Sequence, residues 1–126
     1  MRVADRLELS GMPAEVLATF REGIAEVVAS GGFSSMEHEV LRSLFSRLVP
    51  EDVEPAPFED LWPWAELFVE AAVYVAVCDG SYGVEEARTV GMLARRLGFG
   101  AADLARIEER VFADLWTQVA KRKPPR

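Results

Sequence analysis

Histidine and cysteine are almost missing from this 126-residue chain, which holds one of each, His38 and Cys78. One thiol cannot build a disulfide framework. One His and one Cys cannot supply the ligand set of a structural zinc site, and no Ser or Cys stands in a recognisable triad pattern with His38. Long apolar runs are missing as well. The longest uncharged apolar stretch, Ala71–Cys78, falls well short of the ~20 residues that span a bilayer, so no membrane span is expected. Alternation of the strand type is scarce. No charged-then-apolar leader opens the chain, so no secretory signal is expected, and a lone thiol fits a reducing, cytoplasmic setting. Basic residues are scarce over most of the length: residues 1–86 carry 17 Asp/Glu and 5 Lys/Arg, whereas residues 87–126 carry 4 and 9, for an overall net charge of −7. A nucleic-acid footprint is normally a basic face, so nucleic acid is not the expected partner. The basic end, Lys121, Arg122, Lys123 and Arg126 around Pro124 and Pro125, reads as a frayed tail over 121–126.

What is present is helical grammar. Half of the residues are apolar, and a chain of this length buries roughly two thirds of its unfolded surface as one domain. From Pro13, a favoured first-turn residue, Val16, Leu17, Phe20, Ile24, Val27 and Val28 fall on one helix face, and Ser30-Gly31-Gly32 stops the helix. A second helix starts at Ser34 or Ser35, carries Val40, Leu41, Leu44, Phe45 and Leu48, and ends at Pro50. Residues 49–60 hold three prolines, five acids and no base, and read as a surface connection. Then comes the most apolar helix, from near Pro63 to Cys78, apolar nearly all round and so expected at the centre of a bundle. Further helices are expected over Val84–Leu97 and Ala101–Val119, the last with Leu104, Ile107, Val111, Phe112 and Leu115 inward. Residues 3–9 read as a short leading helix. The expected fold is therefore all-α, a compact bundle of five to seven helices filling residues 1–120.

A shift of 49 residues superposes two segments of the chain. Ile24 falls on Val73, Val28 on Val77, Gly31 on Gly80, Phe33 on Tyr82, Glu37 on Glu86, and Leu41, Leu44 and Leu48 on Val90, Leu93 and Leu97. Each unit is an apolar helix, a Gly turn with one aromatic, and a helix with Glu in its first turn. The pattern predicts two pseudo-symmetric helix–turn–helix halves.

The sharper segment is Asp79-Gly80-Ser81-Tyr82-Gly83-Val84-Glu85-Glu86. Gly80, Tyr82 and Glu86 match the back half of an EF-hand loop, but the earlier ligand positions would be Val75 and Val77, which rules that loop out. Asp79 and Glu86 remain oxygen donors suited to calcium, magnesium or manganese rather than zinc or copper. The stretch Ala71–Leu97, AAVYVAVCDGSYGVEEARTVGMLARRL, resembles the signature of the TerB-like domain family, known from tellurite resistance and from a membrane-anchored J-domain co-chaperone. The resemblance covers roughly residues 64–115 and, more faintly, 14–49. It implies an all-α bundle of about seven helices with internal pseudo-symmetry, acting as a non-enzymatic binding module in stress response. It also implies an acidic divalent-metal site, onto which Asp79 and Glu86 map directly and Glu37 maps from the first repeat. Ser30 stands where the family often has Asp.

Each acid also has a structural reading. Ser34-x-x-Glu37 has the form of a capping box, and Glu86 occupies the third helical position if Gly83 is the N-cap. Asp79-Gly80 is ordinary turn chemistry. The Trp62-Pro63-Trp64 cluster and Trp116 are candidate partner-binding residues. Two functions follow: a TerB-like protein-interaction module with a divalent-cation site at Asp79, Glu86 and Glu37, or a purely structural interaction domain, a homodimer or adaptor, whose acids only cap helices. Metal-assisted hydrolysis would need more ligands than these, so no enzyme activity is expected.

Overall fold

The computed structural model describes residues 6–7, 10–30, 39, 41–43, 45, 49, 52–77 and 82–122, with backbone alone from 118 onward. Every regular element among them is helical. The long elements are α1 (Ala14–Ser30), a 3-10 helix (Phe58–Trp64), α2 (Ala65–Val77), α3 (Val84–Arg96) and α4 (Ala101–Arg122). Residues 6–7, 39, 41–43 and 45 are also helical, at places where the sequence predicts a leading and a second helix. No described helix is long and apolar enough to cross a membrane.

Composition explains the arrangement. In α2, ten of thirteen residues are buried, as expected for a helix apolar all round. It packs against α1, α3 and α4, and α1 packs against α3 as well. Phe68 of α2 sits in an aromatic cluster, edge-on to Phe20 at 5.2 Å and to Phe58 at 5.6 Å between ring centroids. Phe45 joins through Phe20 at 5.8 Å. Gly23 makes this approach feasible: a Cβ there would lie 2.7 Å from the Phe68 ring, inside any tolerable contact.

The acidic connection is tied down at its end. The Ala56 N–H donates to the Glu15 carbonyl at 3.0 Å. The Thr19 hydroxyl donates to the Ala56 carbonyl at 2.6 Å. The 3-10 helix begins within the stretch read as a connection, and Arg96 lies over the Phe58 ring at 4.3 Å while donating to Glu59 at 2.8 Å. That hydrogen bond holds the Glu59 carboxyl below its usual range.

The turn from α3 to α4 closes by a Schellman pattern. The Phe99 N–H donates to the Ala94 carbonyl at 2.9 Å and the Gly98 N–H to Arg95 at 3.0 Å. Gly98 has a φ of 90°, a left-handed conformation that suits glycine. One inward assignment changes. In α4, Ile107 and Val111 are buried and Leu104 and Leu115 half-buried, but Phe112 is 42% exposed. It lies 100° round the helix from Val111, off the seam that faces α2, and rests on Tyr82 instead, 5.9 Å between ring centroids.

Candidate functional site

α3 begins at Gly83, which has no side-chain oxygen to cap the helix. Glu86, three residues on, supplies the contact: the Gly83 N–H donates to Glu86 Oε1 at 3.0 Å, half of a capping box. The carboxylate also complements the helix dipole. α4 repeats the device, with the Gly100 N–H donating to Asp103 Oδ2 at 3.1 Å. Glu86 differs in being buried, at 3% exposure. Beside it lies Tyr82, whose hydroxyl is buried without a partner at good hydrogen-bond geometry among the described residues. Burial first, then the carboxylates of Glu108 and Glu86, drive the Tyr82 pKa far above its ordinary value near 10.0.

The end of α1 reaches this corner. The Ser30 hydroxyl donates to the Val27 carbonyl at 2.6 Å and to the Glu85 carbonyl at 3.3 Å. Asp79 and Glu37, the other expected ligands, lie outside the described residues, as do His38 and Cys78. Among the described residues, no three His, Cys, Asp or Glu side chains converge as a metal site would need.

The three tryptophans have different placements. Trp64 is half-buried against the core, and its indole N–H donates to the Ser10 carbonyl at 3.1 Å. Trp62 is 69% exposed, near the backbone of Gly98. Trp116 is 73% exposed. From Phe112 to Thr117, only Leu115 keeps contact with the core. This part of α4 turns Phe112 and Trp116, one turn apart, toward solvent, and Val84, at 73% exposure, follows Tyr82 at the start of α3.

A further group was not singled out by sequence. Glu70 is buried in the middle of α2. It accepts from Arg6 at 2.5 Å and from Arg110 at 3.0 Å, and Arg110 also donates to Glu66 at 3.2 Å. A buried carboxylate requires such partners. An acid in an otherwise apolar helix was the available signal, but its partners stand 64 and 40 residues away, beyond local pattern reading. This cluster holds the leading segment and α4 onto α2, and its charges are engaged with one another. No family model, curated protein or solved structure matches the chain.

Proposed function

We propose that the chain is a non-enzymatic helical interaction module of the TerB-like kind, built from two similar helix–turn–helix halves, and that it binds protein through the outer half of α4. The observation that supports this is the exposed aromatic pair Phe112 and Trp116 on the side of α4 turned from the core. Large exposed apolar side chains grouped on one face mark interaction surfaces, and tryptophan is the residue most enriched where binding energy concentrates. Selection of displayed peptides on the immobilised chain tests it, with counter-selection on Trp116→Glu. A peptide family retained by the wild type and lost on the variant is the expected result. Equal recovery on both, or none, defeats the reading.

A divalent cation at Asp79, Glu86 and Glu37 is the second reading. It is favoured by the Ser30–Glu85 hydrogen bond, which brings the end of one repeat's first helix beside the start of the other's second. A cation at about a hundred times its dissociation constant adds ~2.7 kcal/mol, on the order of 10 °C in Tm for a domain of this size. A rise with calcium, magnesium or manganese that Asp79→Asn abolishes supports it. No rise leaves Glu86 as a cap alone.

A further inference from the structure

We draw no further inference here: the strongest candidate, the exposed aromatic patch of Phe112 and Trp116 on α4, belongs to the surface already described, and nothing in the structure shows what covers it.

Discussion

α2 and α4 pack against each other and yet meet opposite ends. In α2 the apolar residues run round the whole circumference and neighbours cover them on all sides, so even Glu70 is buried. In α4 the apolar residues form a stripe from Leu104 through Ile107 and Val111 to Leu115 that meets the core, while Phe112 and Trp116 lie off it and are exposed. The difference begins in what each helix is made of: two of the thirteen residues of α2 are charged, against eight of the twenty-two of α4. An aromatic residue that meets the bundle becomes core, as Phe68 does. One on the side of its helix turned from the bundle becomes surface, as Trp116 does, about 140° round α4 from Val111. The comparison separates residues whose loss unfolds the protein from those whose loss leaves the fold in place.

Substitutions at four positions and a pH titration put this division at risk, taken from the largest effect down. Phe68→Ala should cost about 3–5 kcal/mol in chemical denaturation, because it empties the space between Phe20, Phe58 and Gly23. A loss under about 1 kcal/mol would mean that α2 is not the centre. Glu70→Gln should cost about 1–3 kcal/mol. Breaking a fully buried pair costs more, but here Arg6 and Arg110 are partly exposed and the freed guanidinium groups can turn to water. Glu86→Ala should cost about 1 kcal/mol as the loss of a cap, while Glu86→Gln, which keeps an acceptor for the Gly83 N–H, should cost less.

Tyr82 supplies the pH dependence. Its folded pKa lies above its unfolded value near 10.0, so the unfolded chain releases this proton first. Its contribution is fully present below that pH and is lost as the solution becomes more alkaline. Tyr82→Phe should therefore flatten the decline of stability above pH 10, in denaturation curves taken at stepped pH. The smallest change is expected from Trp116→Glu, within about 0.5 kcal/mol of wild type. A larger loss would place Trp116 in the fold and not on a docking surface.

Much of this architecture was legible in local pattern. The Pro13 start and Ser30-Gly31 stop bracket α1, observed over Ala14–Ser30. The apolar character of residues 65–77, Glu66 and Glu70 apart, announces their burial, and Gly83 with Glu86 announces the start of α3. These are signals carried within a turn or two of chain. What local pattern does not carry is contact between distant segments. Phe112 falls within one residue of the buried stripe, so periodicity alone cannot tell that its neighbour is Tyr82. The three tryptophans look alike in sequence, yet Trp64 is held by the Ser10 carbonyl, 54 residues away. Of the expected cation ligands, the described residues include Glu86 alone, and there it caps a helix.

The Glu70 cluster also bears on the order in which the molecule comes apart. Its carboxylate joins positions 6, 70 and 110, so the three can meet only when two long stretches of chain have been closed, at a cost in loop entropy. Interactions that form after the transition state leave the folding rate nearly untouched and act on the unfolding rate. If the Arg6 and Arg110 contacts close last, removing either should hasten unfolding and leave the folding rate almost as it was, which stopped-flow kinetics of Arg110→Ala would read.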